Sequence, residues 1–448
     1  CLSVARPPDG APETMAAPAQ PAPGPPSHRQ TDNSTYCAIA KSSENEDDLS
    51  DILSPAPTSA EERSRERDAT DVPGSARDFR VDDGVLGPQT PTATPVPTPR
   101  PWVAPVLTSA LALALALLVG EILILLHGAS PGRVFAQLLA GTVGNPYGLA
   151  QVLFKATPLI LAGLAVALPY RAGLFNIGAE GQIVLGGLAA GLVGLALPAA
   201  TPAVLAIPAC ALAGFAAGGV WGAVPGVLKA TCGAHEVITT IMLNFVALAA
   251  ANYAIIEHFA VPETVHTPPI VAGAALARLS ATFPALAGSA ANTSLLWALA
   301  AAFGVAVLLF RTPFGVAVRA TGLNARTARR VGLRPGRVTV LVFVLAGGIA
   351  GLAGAGTVQG YKHYVEDGFS GGVGFLGIAV ALLGRNHPAG VVLAALLMGL
   401  LSESGLVINT LVPKEIVDIL QAVVILSVLA AGELVRRLGA PATGREVR

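Results

Sequence analysis

The sequence predicts an all-α polytopic membrane protein with about ten transmembrane helices behind a disordered N-terminal tail. Of the 448 residues, 53% are hydrophobic and only 12% are charged, whereas about a quarter of the residues of a soluble protein are charged. From residue 101 onward the apolar residues fall into stretches of about 20, the length that crosses a hydrocarbon core. Residues 1–100 are instead rich in Pro, Ala, Ser, Thr and mixed charge, a composition that cannot bury a core.

The apolar stretches define the predicted domain organisation. The disordered tail, 1–100, precedes a transmembrane domain at 101–435, and a short C-terminal tail follows at 436–448. The ten predicted spans are 102–127, 148–169, 181–200, 203–228, 236–256, 292–310, 338–359, 371–386, 389–405 and 414–432.

A basic segment at 311–337 sets the predicted orientation. It carries seven arginines, at positions 311, 319, 326, 329, 330, 334 and 337, and no acid. Short loops rich in arginine stay on the cytoplasmic side. An even number of spans then places both termini in the cytoplasm, and the long proline-containing connection 257–291 lies outside. We therefore expect a multi-pass protein of the plasma membrane with both tails cytoplasmic.

The same segment has the signals of a short surface helix. Asn324 can cap its N-terminus, residues 325–331 can form it, and Gly332 can end it. Three arginines share one face and three small apolar residues share another: Arg326, Arg329 and Arg330, and Ala325, Ala328 and Val331. Two functions fit, a basic loop lying on anionic lipid or a helix that docks in a partner's groove. The cap, the stop and the apolar face favour docking, because a lipid-bound loop needs none of them.

The densest polar cluster at membrane depth lies within 170–187, where Asn176, Glu180 and Gln182 stand among glycines. Polar groups inside the hydrocarbon are expensive and therefore face a bundle interior or a wet path. The glycines favour a break or re-entrant turn, where free backbone groups and polar side chains can line a cavity. A plain cytoplasmic turn between the second and third spans is the alternative.

A second polar cluster begins at His235 and Glu236. These residues open a helix, and Glu236 is well placed for the dipole at its N-terminus. Asn244 continues inward along that helix, so it joins Asn176, Glu180 and Gln182 as a candidate lining residue of a path through the membrane. His235 has no second metal ligand at a useful spacing, so we expect it to serve as a cap or a surface residue.

Glycines recur every fourth residue in the predicted span 203–228, at positions 214, 218, 222 and 226. Small residues at this spacing let two helices approach closely in a membrane. The paired glycines of the span 338–359 have the same meaning. We therefore interpret both sets as helix packing and assign them no functional role.

Composition and spacing exclude several function classes. The net charge of +0 suggests no nucleic-acid partner, and the cysteines have neither disulfide nor metal spacing. No lysine follows a glycine, so the chain lacks a P-loop and cannot hydrolyse ATP itself. No metal cluster or nucleophile–base pair indicates an embedded enzyme, and no cofactor is expected. A secondary transporter remains an alternative, although Glu180, Glu236 and Glu403 are isolated, where a coupling-ion site would repeat its acids.

Four segments carry a family resemblance: FNIGAEGQ (175–182), EVITTIMLN (236–244), TGLNARTARRVGLRPGRVTVLVFVLAGGIAGLAG (321–354) and GIAVALLGRNHPAG (377–390). In this order they resemble the membrane-spanning permease subunits of bacterial ABC importers of the ribose- and galactose-type family. They are most similar to permeases of nucleoside uptake systems that use binding lipoproteins of the basic-membrane-protein type. The resemblance covers nearly all of 101–435, and the tail at 1–100 departs from it.

The resemblance implies that 101–435 forms the translocation path for a small neutral solute, a nucleoside or, as the alternative, a simple sugar of the ribose or galactose type. It implies that 311–337 contains the coupling helix, which docks on a separate ATP-binding cassette subunit that hydrolyses ATP. The motif positions of that helix are Asn324, Arg326, Ala328, Arg330 and Gly332. Two further partners are implied: a second permease subunit, identical or paralogous, and an extracytoplasmic substrate-binding lipoprotein.

Overall fold

A computed structural model describes residues 114–115 and 118–439 of the chain. The predicted N-terminal tail and the last nine residues lie outside this range, so the predicted tails remain predictions. Within the described part the chain forms helices joined by turns, and its only strand-like pairings are two isolated bridges, His266 with Glu366 and Arg278 with Asn292. The all-α prediction is confirmed.

Thirteen α-helices are numbered here in chain order. They are α1 (Leu118–Leu126), α2 (Pro131–Gly141), α3 (Pro146–Tyr170), α4 (Ala179–Ala196), α5 (Ala203–Cys232), α6 (Glu236–Ala254), α7 (Ser294–Arg311), α8 (Pro313–Leu323), α9 (Ala325–Arg330), α10 (Pro335–Thr357), α11 (Val373–Leu383), α12 (Pro388–Val407) and α13 (Lys414–Gly439). Two helices continue as single π-helical turns, α6 through Ile255–Phe259 and α10 through Val358–Lys362. Three short 3₁₀ turns lie in the connection between α6 and α7: Ala272–Ala274, Leu279–Ala281 and Pro284–Leu286.

Among the residues that the structure describes, seven helices that match predicted spans are long and apolar enough to cross a membrane, namely α3, α4, α5, α6, α7, α10 and α12. The count rises to eight if α1 and α2, which meet at a bend of 113°, form one broken span. The predicted span 371–386 is corrected: its helix, α11, has 11 residues and is too short to cross alone. The last predicted span corresponds to α13, whose side chains are described only in part. The chain is a multi-pass membrane protein.

The centre of the bundle is formed by α3 and α10. In their apolar stretches 78% and 72% of the residues are buried by the chain itself, compared with 28% in α5, α6 and α7. Helix α3 is buried on every side from Leu159 to Leu168. A helix that is apolar all round, as this one is, belongs in the interior of a bundle.

Glycines bring α4, α5 and α10 into backbone contact. A methyl group added to Gly218 of α5 would strike the carbonyl of Gly347 on α10, and one added to Gly351 would strike the carbonyl of Gly214. Three residues after Gly351, Gly354 of α10 lies against the carbonyl of Ile183 on α4. The prediction that these glycines serve helix packing is confirmed, because each close approach leaves no room for a Cβ atom.

Candidate functional site

The connection between α3 and α4 turns back into the bundle. After Arg171 the chain reverses at Gly173, whose φ is +74°, and residues 174–178 return without helical structure. The depth of the return is fixed by Asn176, whose side-chain nitrogen donates to the carbonyl of Ala165, well inside α3 (3.2 Å). The structure therefore has the predicted break inside the bundle and not a plain surface turn.

Three amide side chains hold this break together. Asn176 and Gln182 form a reciprocal pair, with Asn176 Nδ2 donating to Gln182 Oε1 (3.0 Å) and Gln182 Nε2 donating to Asn176 Oδ1 (3.3 Å). From α6, Asn244 accepts from the backbone N–H of Gly181 (2.9 Å) and donates to the carbonyl of Ile177 (2.9 Å). All three side chains are buried. They supply partners for backbone groups that a continuous helix would have paired.

The fourth predicted residue, Glu180, caps a helix nearly two hundred residues away. Its carboxylate accepts from the hydroxyl of Ser370 (2.6 Å) and from the backbone N–H groups of Gly372 (3.2 Å) and Gly374 (2.7 Å). These groups lie at the N-terminus of α11, where N–H groups are unpaired and the helix dipole favours a negative charge. Glu180 is buried. We call Asn176, Glu180, Gln182 and Asn244 the polar junction.

Helix α11 is the second half of a discontinuous span. The irregular chain before it follows α4 from its C-terminal part toward its N-terminus. The contacts that show this are Val365 with Gly191, Phe369 with Gly187, and Ser370 with Glu180. At the end of this irregular stretch, just before α11, two consecutive glycines, Gly371 and Gly372, have positive φ, a conformation that favours glycine. Irregular backbone at membrane depth is tolerated only where protein surrounds it or where it lines a cavity.

The structure thus brings together all four residues predicted for the translocation path. Their polar atoms are engaged by the protein itself. Their direct contact with a solute is not tested by these contacts and remains a prediction.

Sequence reasoning missed an ion pair between α3 and α12. Lys155 Nζ lies 2.9 Å from Glu403 Oε2 and donates to the carbonyl of Ser402 (2.9 Å). The side chains are 21% and 7% exposed. In the sequence Glu403 is an isolated acid, because its partner stands 248 positions earlier in the chain. The one sequence signal of the pair is a lysine within an otherwise uncharged helix.

The basic segment forms two short helices with side-chain caps. Thr312 accepts from the N–H of Gly315 at the start of α8 (3.1 Å), and Asn324 accepts from the N–H of Thr327 at the start of α9 (3.0 Å). Gly332 ends α9 with a φ of +84°. The predicted cap, short helix and stop are therefore confirmed as local structure. Arg326 and Arg330 are exposed on α9.

The predicted apolar face of α9 needs a correction. Ala328 is only 2% exposed, buried by this chain, whereas Val331 is 70% exposed. The prediction that Ala328 presents itself to a partner is wrong, because helical spacing tells which residues share a face but not which face the protein covers. The exposed apolar surface here consists of Ala325, Val331 and the neighbouring Leu323.

A cation–π cluster anchors the basic segment to the bundle. The guanidinium groups of Arg171 and Arg319 lie 5.9 and 5.6 Å from the ring centre of Phe310, and His387 stacks on the same ring at 5.3 Å. Arg171 also donates to the carbonyl of Asn386 (2.8 Å). Four separate parts of the chain are joined here: the α3–α4 turn, the end of α7, α8 and the α11–α12 turn.

The helix start at His235 contains no metal site. His235 is exposed and makes no side-chain capping bond, so its surface role is confirmed and its capping role is not. Glu236 pairs with Lys229 at 3.1 Å. Across the described residues, no three His, Cys, Asp or Glu side chains are grouped so that they could hold a metal ion.

Comparisons with known proteins agree on one family. The family described as "Branched-chain amino acid transport system / permease component" matches residues 148–429. The chain is 39% identical to the guanosine ABC transporter permease protein NupP of Bacillus subtilis over 316 residues, which covers 70% of this chain and 89% of the relative. It is 33% identical to the nucleoside ABC transporter permease protein NupB of Lactococcus lactis, with coverages of 69% and 86%. It is 36% identical to the glucose ABC transporter permease protein TsgB13 of Haloferax volcanii, with coverages of 70% and 84%. No solved structure matches the chain.

Proposed function

Because the chain belongs to the family of permease components of ABC transport systems, we propose that it is the membrane-spanning subunit of an ATP-driven importer of nucleosides. The observation that carries this proposal is the family match across 148–429, which takes in every helix from α4 to α12. Such a subunit is a transport component and not an enzyme.

The choice of cargo rests on the relatives' names. Two of the three relatives described above are named for guanosine or nucleosides and one for glucose. A nucleoside and glucose share a neutral ring that carries several hydroxyl groups. A nucleoside is the first choice and a simple sugar the second.

The basic segment is the part of the permease that we propose couples transport to ATP hydrolysis by the partner subunit. In this proposal α9 is the coupling helix and docks on a separate ATP-binding cassette subunit. The residues that shape or contact that docking surface are Asn324, Arg326, Arg330 and Gly332. The burial of Ala328 supports an indirect role for it, as the residue that fixes α9 to the bundle. We therefore expect the basic segment on the cytoplasmic side, and an even number of crossings then puts both termini in the cytoplasm.

The polar junction supports a specific form of the predicted translocation role. Glu180 and its amide neighbours connect the α3–α4 break, α6 and the half-helix α11 at one point. Broken helices that meet near the membrane centre are the elements around which transporters change their access. The junction would therefore fix the position of α11 beside the path.

A complete importer needs further subunits. We expect a second permease subunit, identical or paralogous, and an extracytoplasmic lipoprotein that binds the solute and delivers it.

The test is reconstitution of the permease with its ATPase and binding protein in lipid vesicles. ATP-dependent uptake of labelled guanosine that exceeds uptake of glucose is the expected result. Preference for glucose would select the sugar alternative. Uptake that proceeds without ATP and depends on an ion gradient would overturn the importer proposal in favour of a secondary transporter.

A further inference from the structure

A partly open cavity of about 320 Å³ lies between α3, α12, the π-helical end of α10 and the connection from α6 to α7. It is at the end of the bundle opposite to the basic segment, because α7 and α10 each have one end at that segment and the other at this cavity. Its volume falls within the range of small-molecule sites, roughly 300 to 1,000 Å³. Six lining residues matter here: Gln151, Phe154, Lys155, Ser289, Tyr361 and Glu403.

The charged pair of Lys155 and Glu403 forms part of the cavity wall. Lys155 is nine residues inside α3, so at a rise of about 1.5 Å per residue it stands roughly 13 Å along the helix. Charges at such depth are costly and, where they occur, usually mark a substrate or ion pathway. Packing alone does not account for the pair, because an apolar pair of similar size would stabilise the helices equally well or better.

The rest of the wall contains, besides the exposed Arg278, a hydrogen-bonding group and an aromatic face. Ser289 is 1% exposed, and its hydroxyl has no hydrogen-bond partner among the described residues. A buried polar group without a partner is uncommon and needs an explanation. Phe154 and Tyr361 line the same cavity and are in contact, with ring centres 4.9 Å apart and ring planes at 52° to each other. An aromatic face next to hydrogen-bonding side chains can hold a ring that is apolar on its face and polar at its edge.

We propose that this cavity binds the hydroxylated ring of the solute on its way from the binding protein into the membrane. The Glu403 carboxylate accepts from neighbouring hydroxyl groups, the Lys155 ammonium donates to a hydroxyl oxygen, and Phe154 with Tyr361 covers one face of the ring. The ligand is a neutral polyhydroxylated ring, a ribonucleoside or a hexose. The solute class in this inference rests on the proposed function, whereas the location of the site rests on the cavity alone.

Binding is tested directly by protection of a cysteine in the cavity wall. Ala290→Cys is made in a chain whose own cysteines, 1, 37, 210 and 232, are replaced by serine, and the assembled complex is exposed to a charged thiol reagent. Ala290 lines the cavity and is half-buried. We expect guanosine or glucose to slow the labelling, and 2′,3′-dideoxyguanosine, which lacks the two hydroxyl groups, to slow it far less. Thr282→Cys, exposed in the same connection but outside the cavity, is the control whose labelling stays unchanged.

The charged pair is tested by removing both charges together. The double variant Lys155→Met with Glu403→Gln leaves no unpaired buried charge, so the helices keep their packing. The expected result is a rise of about tenfold or more in the guanosine concentration that gives half-protection, because hydrogen bonds to charged groups are lost. The value for dideoxyguanosine is expected to stay within about twofold. The control pair, Lys229→Met with Glu236→Gln, lies elsewhere and should leave both values unchanged.

The outcomes separate this inference from the proposed function. Protection by guanosine or glucose without ATP-dependent uptake upholds the cavity and contradicts the importer. ATP-dependent uptake without protection upholds the importer and overturns the cavity. Equal protection by guanosine, glucose and 2′,3′-dideoxyguanosine also overturns the cavity proposal. So does an unchanged guanosine concentration for half-protection in the double variant.

Discussion

Glu180→Gln should loosen the N-terminus of α11 while the bundle stays folded. The carboxylate accepts three hydrogen bonds, from Ser370 and from the backbone N–H groups of Gly372 and Gly374. Glutamine keeps one acceptor oxygen, and its amide nitrogen can only donate, so at least one backbone N–H loses its partner. A hydrogen bond to a charged group contributes about 1.5–3 kcal/mol. The open form of this helix end should therefore become roughly 10- to 100-fold more populated.

Hydrogen exchange of the assembled complex in lipid measures this opening. The fragment that spans residues 370–376 should exchange about 10- to 100-fold faster in the variant, because exchange rates follow local opening. Glu236→Gln is the matched control: it makes the same chemical change in a pair with Lys229 that is partly exposed and worth at most about 1 kcal/mol. Acceleration of less than about threefold at 370–376 would refute the capping role of Glu180.

Three further predictions follow from the packing and the basic segment. Gly218→Ala should strongly reduce the yield of folded permease, because the added methyl group meets the carbonyl of Gly347. Gly304→Ala on α7 has open space around it and should be neutral. The measurement is the yield of each variant that stays folded in detergent. Asn324→Ala should weaken α9 by about 1 kcal/mol and lower the amount of ATPase subunit that co-purifies; full recovery of the subunit would contradict a docking role for the cap. Val331→Glu, on the exposed side of α9, should reduce co-purification more than it reduces permease abundance, and an equal fall in both would indicate a folding defect instead.

The sequence predicts those features that local information determines. Apolar stretches of about 20 residues indicate seven long helices, because lipid imposes one length on any helix that spans it. The cap at Asn324 and the stop at Gly332 are recognisable because both act on backbone groups only a few residues away. The glycines of α5 predict a close helix contact, although they cannot name α10 as the partner.

Features that depend on distant partners were missed or misassigned. Lys155 and Glu403 are 248 positions apart, and Glu180 meets the backbone at the start of α11 across 192 and 194 positions. Nothing within either local segment indicates such a partner. The span 371–386 appeared continuous because apolar composition does not reveal where a helix begins, and Ala328 appeared exposed because spacing does not reveal which face is covered. In each case the deciding contact lies on another helix.

The basic segment and the polar junction are joined by two short connections. Gly322, at the end of α8, packs its backbone directly against the backbone of Arg171 and Gly173, and from there the chain runs only a few residues to Asn176. Arg171 also holds Asn386, just beyond the C-terminus of α11, whose N-terminus Glu180 caps. The C-terminal end of α11 is therefore tied to the turn on which the basic segment rests, and its N-terminal end is tied to the first turn of α4. Because close-packed interiors transmit strain, we expect a displacement of α8 and α9 to extend beyond the basic segment. We expect it to move either the irregular return segment 174–178 or the short helix α11.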